Sequence, residues 1–136
     1  MMQAASYLEC VDSLWGGPSI ESNLATGYVY GSHGGAVSAE QMRQYTQQWQ
    51  QAVEQVHDAG LPLRALVEYA ADLATQDILV QVANETLPDV YKDGDRVAMI
   101  VPNSLAKSLL RTGLKLKNHE FFVSRNAAEN WLKSSA

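Results

Sequence analysis

The stretch DRVAMIVP, Asp95 to Pro102, constrains the fold more than any other, because Val97 to Val101 are five apolar residues in succession. Asp93-Gly94-Asp95 leads into the run and Pro102-Asn103 follows it. An apolar run this short, punctuated at both ends, reads as a strand covered on both faces. A buried helix would need more length and would not stop at a proline. Helical periodicities flank the run on both sides, which predicts the middle of a parallel sheet.

A chain of 136 residues can bury one core and suits one domain over residues 1–136. Apolar residues at 46% and charged residues at 18% fit a globular protein and exclude disorder as the main state. No apolar run approaches the roughly 20 residues that cross a bilayer. The opening MMQAASYLEC lacks the basic start and apolar core of a signal peptide, so a cytoplasmic location and no transmembrane segment are expected. Cys10 is alone, which rules out an intramolecular disulfide and a cysteine-rich zinc site and leaves it as a small half-buried hydrophobe. His33, His57 and His119 share no metal-ligand spacing, and no metal or cofactor is expected. A net charge of −5 argues against general nucleic-acid binding. The charge is unevenly spread. Residues 1–91 set Arg43 and Arg64 against eleven carboxylates, whereas residues 92–136 set eight Lys or Arg against Asp93, Asp95, Glu120 and Glu129. Two solvated faces are the plain reading of this split, and steering of partners or self-association is the functional one.

Taken in order, Tyr7–Trp15 and Asn23–Gly31 read as two strands around a Gly16-Gly17-Pro18-Ser19 turn region. In the second, Leu24, Thr26, Tyr28 and Tyr30 would share one face, with Ala25, Gly27 and Val29 on the other. Ser32-His33-Gly34-Gly35 is a glycine-rich link that matches no phosphate-binding loop. Ser38-Ala39-Glu40-Gln41 is a capping box, followed by an apolar stripe of Met42, Tyr45, Trp49, Val53 and Val56. That predicts a long helix ending near Ala59-Gly60, with a glutamine-rich outer face. Leu63–Ala70 reads as a strand with Leu63, Ala65, Val67 and Tyr69 on one side. A helix is expected from about Thr75 to Leu87, turning Ile78, Leu79, Val82 and Thr86 to the sheet, with Thr75 as its N-cap.

After the apolar strand, Asn103 or Ser104 is expected to cap a helix carrying Leu105, Leu109 and Leu110, with Gly113 near its end. Lys107, Arg111 and Lys115 step by four and form a basic stripe along it, either a solvated face or a contact for phosphate or an acidic partner. Glu120–Ser124 reads as the last strand. Asn126-Ala127-Ala128-Glu129 reads as a second capping box before a closing helix with Trp131 and Leu132. The sum is an α/β fold: a mixed, mostly parallel five-stranded sheet with about four helices and right-handed crossovers.

Three segments in this order resemble the SpoIIAA-like family, in the superfamily that joins STAS domains to CRAL-TRIO lipid carriers. They are the glycine-containing strand YVYGSHGG, the strand and turn DGDRVAMIVP, and the closing FFVSRNAAENWL, together spanning roughly residues 24–133. The resemblance implies an interaction or regulatory domain of bacterial signalling or stress response, with a protein partner. Separately, the aromatic Trp15, Tyr28 and Tyr30 near an edge strand would need cover, which a homodimer could supply. STAS anti-sigma-factor antagonists look like phosphoswitches with a phosphorylated serine opening the helix after the third strand, in an Asp-Ser-Ser-Gly type turn. This chain has Ala71-Asp72-Leu73-Ala74-Thr75-Gln76-Asp77 there, so Thr75 is the one hydroxyl and the serine pair and glycine are absent. A phosphate on Thr75 would sit favourably at a helix N-terminus, and a plain N-cap is the structural alternative. The lipid-carrier side implies an apolar ligand, for which this short chain would offer a shallow groove between the Leu105–Leu116 helix and the sheet.

In open α/β sheets, ligands favour the crevice beyond the strand C-termini. Here that crevice holds Asp72, Thr75, Asp77, Asn103 and Ser104, the candidate ligand- or partner-binding residues. A non-enzymatic interaction domain is the leading reading, and a small apolar ligand or lipid module is the alternative. An enzyme would need a histidine or carboxylate beside a nucleophile. Asp72, Asp77 and Ser104 converge at one sheet end, but no histidine joins them unless the His33 loop reaches that edge.

Overall fold

A computed structural model of the protein describes residues 19–34, 37–70 and 73–134. The expected Tyr7–Trp15 strand, Cys10, most of the expected Gly16–Ser19 turn and Asp72 lie outside these residues. Among them are five strands, β1 (Ser19–Asn23), β2 (Tyr28–Gly34), β3 (Arg64–Ala70), β4 (Arg96–Ile100) and β5 (His119–Phe122). Four helices accompany them: α1 (Ala39–Asp58), α2 (Leu73–Thr86), α3 (Ser104–Gly113) and α4 (Arg125–Lys133). The sheet order is β1-β2-β3-β4-β5, with β1 antiparallel to β2 and every other pairing parallel. The mixed, mostly parallel sheet with four helices is therefore present. Its middle strand is β3, not the apolar β4, because spatial order follows chain order.

The β1–β2 hairpin turns over residues 24–27, inside the stretch expected to be extended. Asn23 explains this: its side-chain oxygen accepts from the Ala25 amide at 2.9 Å and its carbonyl from the Gly27 amide at 2.9 Å. Gly27 closes the turn at φ +81°, where a side chain would also strike the Pro62 carbonyl. Ser19, expected in a turn, instead starts β1 and meets Ser32 hydroxyl to hydroxyl at 2.7 Å.

The Ser38 capping box forms as the residues dictate, with the Ser38 hydroxyl accepting from Gln41 N–H and the Gln41 side chain accepting from Ser38 N–H. All five residues of the α1 stripe are buried. Gly31 makes this packing possible: a Cβ there would lie 2.6 Å from the Tyr45 hydroxyl and 2.9 Å from the Trp49 ring. Two large rings thus lie flat on β2 because that position has no side chain.

A sheet whose strands follow one another in order puts successive crossovers of one hand on one side. The main core accordingly joins α1, α2 and α3 to one sheet face, through residues such as Val53, Val82, Leu110, Val67 and Met99. On the other face, α4 brings Ala128 and Leu132 against Leu66 and Ala98, flanked by Tyr28, Tyr30, Ile100, Phe122 and Trp131. The alternation of β4 serves both: Val97 and Met99 point to the main core and Ala98 to α4. The α4 cap is Ser124, whose hydroxyl accepts from Ala127 N–H at 3.3 Å, and not Asn126. Glu129 binds Arg125 at 2.9 Å one turn back and does not close a box.

The sheet's N-terminal edge is tied by the buried Asp95 carboxylate. It accepts from Leu63 N–H at 3.0 Å and from Lys92 N–H at 2.8 Å, and it pairs with His57 Nε2 at 2.8 Å. One side chain thus joins the end of α1, the entry to β3 and the turn before β4. Asp95→Ala leaves these donors without their acceptor, and it should lower unfolding stability by about 3–5 kcal/mol, read by urea denaturation.

Candidate functional site

The candidate residues fall at the rim beyond the strand C-termini, where α2 and α3 begin. Thr75 does not cap α2. The helix starts two residues earlier at Leu73, so Thr75 is in its first turn with 2% of its surface exposed, and its hydroxyl accepts from Val37 N–H at 3.4 Å. The hydroxyl is enclosed between α2 and the segment leading into α1, and is not presented to solvent. Asp77 is exposed on the next turn. Asn103 is the α3 cap, its side-chain oxygen accepting from Ala106 N–H at 2.8 Å, and Ser104 is the exposed first residue of that helix. The rim thus holds Thr75, Asp77, Asn103 and Ser104, with Thr75 and Asn103 engaged in holding backbone.

Sequence reasoning missed the apolar character of this rim. Of the leucines expected on this helix, Leu105 and Leu109 are 60% and 43% exposed, while Leu110, with Ala106, faces inward. Each helical residue turns about 100° from its neighbour, so the two pairs point different ways, and on a ten-residue helix only one pair can meet the sheet. Leu73, which opens α2, is 58% exposed. The two helices meet further along, where Val80 packs on Gly113 and the Asn84 side chain donates to the Gly113 carbonyl at 3.0 Å and accepts from Lys115 N–H at 2.8 Å. Leu73 and Asp77 continue the Val80–Asn84 flank of α2 toward the rim, and Leu109 continues the Gly113 flank of α3. Leu73 on α2 and Leu105 and Leu109 on α3 therefore leave exposed apolar side chains on the two helices that begin at the rim. The signal available in the sequence was the one-residue offset between two i,i+4 pairs.

The other candidates disperse. The α3 helix ends at Gly113, so Lys115 leaves the basic stripe; its ammonium donates to the Thr112 carbonyl at 3.0 Å. Arg111 pairs with Glu120 at 2.8 Å, and that bond, with the nearby cations, holds the Glu120 carboxyl below the usual range. Thr86 faces outward and donates back to the Val82 carbonyl at 2.8 Å. At the opposite end of the molecule, Glu54, Asp58, Glu85 and Asp89 line a cleft together with His57 and Lys92. Among the described residues no group of histidine, cysteine and carboxylates has the arrangement of a metal site. His57 pairs with Asp95 far from the rim, and His119 lies beneath α2.

Between α2 and the sheet is an apolar cavity of about 40 Å³, lined by residues that include Trp49, Leu79, Tyr91, Met99 and Leu114. Of the Leu105–Leu116 segment beside which a groove is expected, Leu114 and Leu116 line this cavity. A site of roughly 150 Å³ is needed to hold even benzene, so this one is a packing gap. His119 also lines it, its ring edge-on to Tyr91 at 5.0 Å between centroids. Burial in these apolar surroundings lowers the His119 pKa to about 4.

No family model and no curated protein matches the chain. Among solved structures it is similar to an uncharacterised DUF3478-family protein with a SpoIIAA-like fold from Shewanella loihica PV-4. The identity is 21% and the TM-score 0.54, over 85% of this chain and 94% of that one. The fold is SpoIIAA-like. No helix among the described residues is long and apolar enough to cross a membrane.

The His119 ring stays neutral in the fold down to about pH 4, whereas an unfolded histidine protonates near pH 6.5. The unfolded state therefore binds the extra proton, and stability should fall as pH drops from about 6.5 toward 4. His119→Phe should flatten that segment of the stability–pH curve relative to the parent protein, measured by thermal melts across the range.

Proposed function

We propose that this protein is a non-enzymatic interaction domain that docks a protein partner on the rim where α2 and α3 begin, in a signalling or stress-response setting. The observation that supports it is the exposure of Leu73, Leu105 and Leu109 on the two helices that begin at this rim. Folding gains nothing from leucines left in water, and clustered apolar side chains rimmed by polar groups mark contact surfaces. Asp77, Asn103 and Ser104 supply that polar rim. The small size of the apolar cavity disfavours the lipid-carrier alternative, since an acyl chain has no room there.

Site-specific photocrosslinking in the protein's own host tests the proposal. A photoreactive residue at Leu109 should yield a discrete protein adduct that the same residue at Asn130, on α4, does not. Adding Leu105→Asp should reduce the adduct at least tenfold while the fold, followed by circular dichroism, is kept. Equal labelling from both positions would sink the rim as the docking surface.

A further inference from the structure

The cleft at the locked end of the molecule has a volume of about 490 Å³ and lies between the ends of α1 and α2. Small-molecule sites span roughly 300–1,000 Å³, so its size suits a ligand. Glu54, His57 and Asp58 line it from the end of α1, Glu85 from the end of α2, and Asp89 and Lys92 from the segment that follows. Helix C-termini carry partial negative charge, which makes carboxylates unfavourable there. Among the described residues, none of the four forms an ion pair, with Lys92 or with any other cation. The fold gains nothing from this arrangement.

A second feature opens on the same cleft. The His57 side chain is only 9% exposed, and its Nε2 is engaged by the Asp95 carboxylate, itself 1% exposed. The other ring nitrogen, Nδ1, makes no hydrogen bond, yet it is not sealed from solvent. The cleft that the ring lines is where Nδ1 opens. An Nε2–H donated to the carboxylate fixes the ring and leaves Nδ1 of the neutral imidazole as a bare acceptor.

We propose that this cleft binds a small aliphatic diamine or polyamine, one ammonium donating to His57 Nδ1 and the others meeting the four carboxylates. An ammonium brings three N–H donors and no acceptor, the complement of an imidazole lone pair set among carboxylates. No three histidine or carboxylate groups among the described residues are arranged to hold a metal ion, which favours charges spread along a chain over one compact ion. Pro88 and Val90 give the wall an apolar stretch for the methylenes between those charges. The cleft is at the end opposite the leucine rim, and its ligand is independent of whatever docks there.

The test is a nuclear magnetic resonance titration of the isotopically labelled full chain, at physiological ionic strength and a pH where imidazole is neutral. The probes are hexamethylenediamine and hexamethonium, which share chain length and charge, but hexamethonium has no N–H. Hexamethylenediamine should shift the His57 ring nitrogens and the Asp58 and Asp89 backbone amides along one saturable curve. Hexamethonium should bind about tenfold more weakly and leave Nδ1 in place. Glu85→Gln combined with Asp89→Asn should weaken the diamine about tenfold without lowering the melting temperature, since both residues are exposed and their repulsion is removed. If hexamethonium moves the same resonances with equal affinity, the cleft only gathers counterions, and the proposal is overturned. A diamine curve that does not saturate, or that saturates without a His57 shift, overturns it as well. His57 stays in place throughout, because it also holds Asp95.

Discussion

The fold depends on a carboxylate that water cannot reach. Asp95 sits one residue before the β4 apolar strand and gathers donors from the end of α1, the start of β3 and the preceding turn. A buried charge survives only when its lone pairs are used, so those elements must arrive together in one geometry. Neighbouring groups extend the lock. Arg64 reaches the Gly94 carbonyl at 2.6 Å, Asn118 donates to the Asp95 carbonyl at 2.8 Å, and Arg96 donates to the Trp131 carbonyl at 2.6 Å while lying over its ring. The N-terminal edge of the sheet is therefore the rigid end of the molecule.

The opposite edge is built differently. There the helices begin and the strands have stopped, and Leu73, Leu105 and Leu109 are left in solvent. Open α/β sheets usually place ligand sites at this end. Much of the basic C-terminal third is spent in local pairs such as Arg111–Glu120 and Arg125–Glu68. Four acidic residues, Glu54, Asp58, Glu85 and Asp89, lie together by the locked end.

The parts of this fold that are legible in the sequence are those decided within a few residues. The Ser38–Gln41 box and the Met42–Val56 stripe are local, and a twenty-residue helix leaves little doubt about which face is buried. The parallel strands follow from the helical crossovers between them. Errors came where two local signals competed. Residues 24–27 alternate like part of a strand, but Asn23 and Gly27 make a hairpin turn there. Asn126 and Glu129 imitate a capping box, but Ser124 lies in the better place. The site was less legible still. His57 and Asp95 are 38 residues apart, so nothing local to either foretells their pairing. Which leucines of α3 meet the sheet is set by how the helix docks, which the apolar spacing of Leu105, Leu109 and Leu110 does not decide.

The order of the sheet also bears on how the chain is made. Because strands join in the order of synthesis, β1 to β5 with α1 to α3 can assemble progressively as the polypeptide emerges. The α4 helix breaks that progression, since it must return beneath β3 and β4 to cover Leu66 and Ala98. Until α4 has been released, the sheet face carrying Leu66 and Ala98 stays uncovered, and a chain truncated before α4 would keep that apolar face open to wrong association.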